Sequence, residues 1–187
     1  MREEGIRARP RRSFRPCTTQ QDKAAVASPN LLSKSEPPSA PGQQIVSDIT
    51  YIRTAAGWLY LVIVLDFYSR AIVGWDLSSS LEADGVSRAV KTAIKSGYVR
   101  PDAIFHSDRG CQYTSQAVRE VLAGPALRQS MSARGYCYDN AFAESCFATI
   151  KTEVLPDSGV FSSHQQARTD LDGKHAVDDS VQKATIV

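Results

Sequence analysis

Residues 103–110 read Ala-Ile-Phe-His-Ser-Asp-Arg-Gly, an apolar run that opens after Pro101 and ends in a polar loop centred on Asp108. Such a run reads as a short strand that delivers a side chain at its C-terminal end, where α/β folds commonly present functional groups. Two other acidic residues sit on regular elements. Asp48 lies inside the alternating run Ile45 to Ile52, and Glu144 lies inside a helical run from Asp139 to Val154. Carboxylates at three separate chain positions, each on a strand or helix, are the donor set that a magnesium site for phosphate chemistry requires.

Upstream of this stretch the pattern is β. Ile45, Ser47, Ile49 and Tyr51 alternate with Val46, Asp48, Thr50 and Ile52, giving two faces of one strand. Gly57 marks a turn, Trp58 to Asp66 is a continuous apolar strand buried on both faces, and a turn at Tyr68 to Arg70 leads into Ala71 to Leu77. A three-strand antiparallel meander is the economical reading. Trp58 and Trp75 read as core. Asp66, just before Arg70, reads as a turn residue paired locally. Leu81 to Gly97 then switches to helical spacing, with Val86, Ala89, Val90, Ala93 and Ile94 on one face, acids in the first turn and lysines near the end.

Downstream, Thr114 or Ser115 caps a helix through Leu122, and Leu127 to Met131 forms one more short strand. In the last clear helix Ala143, Cys146, Phe147, Ile150 and Val154 form an apolar stripe, with Glu144 at its margin and Asn140 and Lys151 on Glu144's side. After Pro156 the pattern weakens to a short helix through Ser163 to Leu171 and a tail. The sum is an α/β plan, a mixed sheet flanked by helices.

The 187 residues suffice for one domain with a core. Residues 1–42 carry six of the nine prolines and 8 Lys+Arg against 4 Asp+Glu, so the net charge of +2 leaves −2 for the rest. This segment reads as a basic, Pro-rich arm and linker, suited either to a polyanion or to solvent. Cys17, Cys111, Cys137 and Cys146 make no CxxC pair, which argues against structural zinc and against a disulfide framework. The longest apolar run, Leu59 to Leu65, is too short to span a bilayer, so no membrane partner is expected.

Asp48 and Asp108 are separated by 59 residues, and Asp108 and Glu144 by 35. This spacing, with the runs SDITYI (47–52), LDFYSRAIVGW (65–75), HSDRGCQYTS (106–115), RQSMS (128–132) and YDNAFAESCFATIKTE (138–153), resembles the integrase catalytic core of bacterial insertion-sequence DDE transposases. The resemblance implies a ribonuclease-H-like fold and a polynucleotidyl transferase that cleaves and transfers DNA strands in transposition. It implies Asp48, Asp108 and Glu144 as catalytic residues and metal ligands for two Mg²⁺ ions, with Mn²⁺ as a substitute. Lys151, Arg109 and Asn140 would contact DNA, with Asp139 and Asn140 shaping a loop before the helix. Arg109 reads equally well as a surface charge. His106 either orients Asp108 or ends its strand, the second reading being favoured.

The expected partners are transposon ends and target DNA, in a homo-oligomer, and the expected location is the bacterial cytoplasm at the nucleoid. The expected division is an arm at 1–42 left from a helix-turn-helix region, an integrase core at 43–158, and a degenerate or truncated tail at 159–187. The sequence departs from the family pattern at Ile45, where the family has Trp, and near residue 170. Two alternatives follow: a truncated remnant that only binds DNA, and a ribonuclease-H-type nuclease.

Overall fold

The computed structural model describes residues 27–132 and 141–173. The alternating run becomes β1 (Gln44–Thr54), which pairs antiparallel with β2 (Gly57–Asp66), and β2 pairs antiparallel with β3 (Ile72–Ser78). The expected meander is therefore present. After helix α1 (Ala83–Lys95), strand β4 (Ile104–Ser107) returns parallel to β1. Helices α2 (Cys111–Thr114) and α3 (Gln116–Ala123) lead to β5 (Arg128–Met131), parallel to β4. The sheet order is β3-β2-β1-β4-β5, a mixed sheet with β1 as the strand shared by its two halves. Ser115, one of the two expected caps, accepts a hydrogen bond from Val118 N and starts α3.

Strand alternation sends side chains to opposite faces, and each face has its own core. Ile45, Val62 and Val64 face α1 and α3, packing with Val86, Val90, Phe105, Val118 and Leu122. Ile52, Leu61, Ile63 and Leu65 face the other way, against helix α4 (Ala141–Val154) and helix α5 (His164–Gly173). The apolar stripe of α4 is buried as its spacing predicts, through Ala143, Phe147, Ile150 and Val154. Helix α1 comes close to the sheet because residue 74 has no side chain. A Cβ on Gly74 would stand 2.3 Å from the Ala89 carbonyl oxygen. Arg88 also grips Asp76 with two nitrogens, at 2.8 and 2.9 Å. Burial opposes the charge of Asp76, but the Arg88 and Ser78 hydrogen bonds hold its carboxyl below the usual range.

Asp66 is fully buried at the β2–β3 turn. Its two oxygens accept from Gly42 N (2.8 Å), Ser69 N (2.8 Å) and the Ser69 hydroxyl (2.6 Å), which is the local pairing expected of a turn residue. One expectation needs correction: Trp58 is 52% exposed at the start of β2, because this end of the hairpin lies outside the α1-side core, whereas Trp75 packs partly buried against the α4-side core. The short helix expected through Ser163 to Leu171 is present as α5. Phe161, Ala167 and Leu171 are buried in the α4-side core, and Phe161 bridges to Thr54.

The end of the arm is also tied down, since Leu31 N and Leu32 N donate to the Ser130 hydroxyl at 2.9 and 3.3 Å. The basic run at Arg2 to Arg15, Cys17, Cys137 and the Asp139–Asn140 loop lie outside the described residues. Among the described residues no helix is long and apolar enough to cross a membrane.

Two outcomes test this packing. An Asp66→Asn protein offers an amide nitrogen to donors that converge on both oxygens, and should lose about 2–3 kcal/mol in urea unfolding with an unchanged m-value. Burial pushes the Cys146 thiol on α4 from an ordinary 9.0 up to about 11. At pH 8 that leaves about a hundredfold less thiolate. Alkylation followed by peptide mapping should find Cys146 protected in the native chain and reactive after unfolding.

Candidate active site

β1 and β4 pair through Gln44 with Ile104, Ile45 with Phe105 and Val46 with His106. Carrying this register two residues forward sets Asp48 level with Asp108, beyond the last residue of β4. The two strands part there, and the gap is a small hollow of about 150 Å³ lined by Asp48, Tyr51, Asp108, Gly110, Gln112 and Tyr113, among others. Asp48 is half-buried and its Oδ1 accepts from Ile49 N at 2.8 Å. Asp108 is exposed at the lip and its Oδ1 accepts from Gly110 N at 2.8 Å. The loop is tight enough that a Cβ on Gly110 would meet Asp108 Oδ1 and Gln112 Oε1, each at 3.0 Å. A side chain at residue 110 would therefore make the Asp108 and Gln112 side chains give way.

Tyr113 forms the floor. It is fully buried, and burial first, then the charge of Asp48, with a lesser effect of Asp108, push its phenol well above the ordinary value. The phenol therefore stays protonated and works as a hydrogen-bond donor rather than a base. Its oxygen lies 3.0 Å from the Ser47 hydroxyl, which itself donates to the Ile63 carbonyl at 2.9 Å. With the serine proton spent on Ile63, Tyr113 is the donor to Ser47. This chain holds β1 from behind at the residue before Asp48.

His106 is fully buried, its ring nitrogens 2.9 Å from the Ser130 hydroxyl and 3.1 Å from the Ser132 hydroxyl, so it joins β4 to β5. Arg109 is exposed, and its Nε donates to the Ser132 carbonyl at 2.8 Å, which ties the Asp108 loop to the end of β5. Lys151 on α4 donates from Nζ to the Thr50 hydroxyl at 2.8 Å. Thr50 and Asp48 share one face of β1 by alternation, so Lys151 stands over the strand on the side of Asp48. Asn140 lies outside the described residues.

The structure brings Asp48 and Asp108 into one hollow and leaves Glu144 out of it. Glu144 is exposed in the first turn of α4 and does not line the hollow. Among the described residues no three His, Cys, Asp or Glu side chains are grouped closely enough to hold a metal ion. The two aspartates suit a hard divalent cation, because they offer oxygen donors only and set two negative charges around a neutral phenol. Ser47, Gly110 and Tyr113 escaped the sequence reading as site residues. Ser47 opens the SDITYI run, while Gly110 and Tyr113 lie in HSDRGCQYTS, where α2 has four residues, too few to show a helical period.

Comparison with known proteins bears on the family and the fold. The integrase core domain family matches residues 38–137. The transposase InsF of insertion sequence IS3A from Escherichia coli strain K12 is 41% identical over 155 residues, 83% of this chain and 54% of that protein. An uncharacterized 31 kDa protein of insertion element IS600 from Shigella sonnei is 38% identical over 150 residues, 80% of this chain and 55% of that protein. The chain spans about half the length of the curated relatives it matches.

Among solved structures, the HTLV-2 integrase catalytic core domain in complex with magnesium aligns with a TM-score of 0.53 at 16% identity, covering 78% of this chain and 84% of that one. A chain of the simian T-cell lymphotropic virus intasome, solved with a PP2A regulatory subunit, aligns with a TM-score of 0.60 at 13% identity, covering 86% and 53%. The sheet is accordingly the ribonuclease-H-like sheet of integrase catalytic cores. Matched over more than half its length, the chain belongs to the integrase core domain family.

Proposed function

We propose that the chain carries the catalytic core of an insertion-sequence transposase, which cuts DNA strands and joins their 3′ ends to target DNA with Mg²⁺ as cofactor. The observation that carries this reading is the level placement of Asp48 and Asp108 where β1 and β4 part. The named function of the IS3A relative and the magnesium of the HTLV-2 core support it.

Asp48 and Asp108, with Glu144, would hold two Mg²⁺ ions, for which Mn²⁺ would substitute. Bound there, the metal supplies charge for the phosphate oxygens and for the attacking and leaving oxygens of an in-line displacement. The residues of the chain do the positioning. Ile49 N and Gly110 N fix one oxygen of each aspartate. The Tyr113–Ser47 chain keeps β1 from sliding under Asp48. Lys151 keeps donor hydrogens beyond the one it gives Thr50, and these suit a phosphate oxygen beside the hollow.

Glu144 needs a further argument. It precedes Lys151 by seven residues on the same side of α4, about 10 Å along the axis, while Asp48 precedes Thr50 by two, about 7 Å. Lys151 reaches Thr50, and farther along the chain Phe161 reaches Thr54, an order that supports a start of α4 on the Asp48 side of Thr50. We assign Glu144 as the ligand that closes the site when cation and DNA are present. The arginines of the arm and Arg109 would serve DNA backbone contact, in an oligomer of at least two chains if paired ends react together, acting where the bacterial DNA is. The exposed position of Glu144 favours one rival, a chain that binds DNA without cutting it.

Nicking of DNA oligonucleotides decides between them. The wild-type chain should nick in Mg²⁺ or Mn²⁺, and Asp108→Asn should fall to background; salt-sensitive binding with no nicking in either metal would support the rival. Tyr113→Phe should keep the fold but raise the Mg²⁺ concentration for half-maximal nicking about tenfold, as removal of an outer support to a ligand does.

A further inference from the structure

The α1-covered face of the sheet runs out before the β1–β2 hairpin does. Ile49 and its partner Val62 form the last rung packed on that core. The next rungs on the same face, Tyr51 with Tyr60 and Arg53 with Trp58, are not part of the α1-side core among the described residues. Tyr51 is 42% exposed and Trp58 52%. The rings meet edge to face, Tyr51 to Trp58 at 6.3 Å between centroids and 84° between planes, and Tyr51 to Tyr60 at 5.4 Å and 65°. An edge-to-face contact covers a ring face on only one partner of each pair, so other ring faces lie outside these contacts. The Arg53 guanidinium lies 6.0 Å from the Trp58 ring centroid, and it has no ion-pair partner among the described residues. Tyr51 also lines the hollow that holds Asp48 and Asp108, so it links this aromatic cluster to the hollow, while Arg53, Trp58 and Tyr60 lie outside the lining.

We propose that Tyr51, Arg53, Trp58 and Tyr60 form a platform for an unpaired nucleotide of the DNA strand whose phosphate occupies the Asp48–Asp108 hollow. This inference rests on the reading of that hollow as the strand-cleavage site. Open aromatic faces bind any base, since every base has a π-face, and they need the base released from its pair. Arg53 supplies the charge that a strand's phosphates complement, which a purely apolar protein contact would leave unsatisfied. The chain should therefore prefer a DNA end with unpaired nucleotides over a fully paired end.

The test uses the whole 187-residue chain with Ca²⁺ in place of Mg²⁺, and two labelled duplexes that differ only in a frayed end carrying 2-aminopurine. Anisotropy should show the frayed duplex bound about tenfold tighter, with 2-aminopurine fluorescence quenched by stacking. Trp58→Ala should erase the preference and the quenching while leaving the paired duplex and the urea midpoint nearly unchanged, and Trp58→Phe should restore most of both. Arg53→Gln should weaken both duplexes and reduce the salt slope by about one.

A preference that survives Trp58→Ala overturns the platform. So does a change of oligomeric state in Trp58→Ala with DNA binding intact, which would assign the surface to a second copy of the chain. A Trp58-dependent preference in a chain that nicks nothing would overturn the cleavage reading and leave the nucleotide platform standing; nicking with no such preference would overturn the platform alone.

Discussion

β1 pairs with β2 at ten positions but with β4 at only three. Every feature of the site follows from that imbalance. On the β2 side the strand is fixed along its whole length, so Asp48 has a defined height and direction. On the β4 side pairing stops after Val46 and His106, and the edge of β1 opens just where Asp48 sits. Parallel strands that part at their carboxyl ends leave a crevice, the common ligand position in open α/β sheets. The loop after β4 then brings Asp108 to the same level, and Tyr113 closes the crevice from below by bonding to Ser47 where a strand partner is missing.

The hollow concentrates like charge next to a buried neutral phenol. Coulomb repulsion between two carboxylates is tolerable here because Asp108 stands at the exposed lip and Asp48 is only half-buried, where solvent screens them. A divalent cation would turn this repulsion into attraction, which is the energetic reason to expect one. The surroundings are rigid for separate reasons. Asp66 knots the β2–β3 turn to Gly42, Arg88 clamps α1 to Asp76, and Lys151 pins α4 to Thr50. The exposed parts are the lip of the hollow at Asp108, Glu144 in the first turn of α4 and the tip of the β1–β2 hairpin.

Strands, long helices and the apolar stripe of α4 were legible in the sequence because burial imposes period two or period 3.6 on them. Asp48 and Asp108 were each placed by a strand pattern, while their joint role came from their spacing and the family resemblance. Trp58 was misread because an apolar run carries no mark of where its covering helix stops. Tyr113 was missed because its role depends on a hydrogen bond to Ser47, 66 residues away, and on a helix of one turn. The packing of α5 was obscured by its weak amphipathicity. For Glu144 the sequence supplied an order along the chain, while its approach to the aspartates depends on the position of α4.

The claim that Asp48 and Asp108 share one cation is tested most directly by nuclear magnetic resonance of the labelled chain during titration with Mn²⁺. The account predicts that amide signals of residues 47–51 and 108–113 broaden first and together, followed by those at the start of α4. Broadening of one aspartate segment without the other, or first broadening elsewhere in the chain, would contradict it.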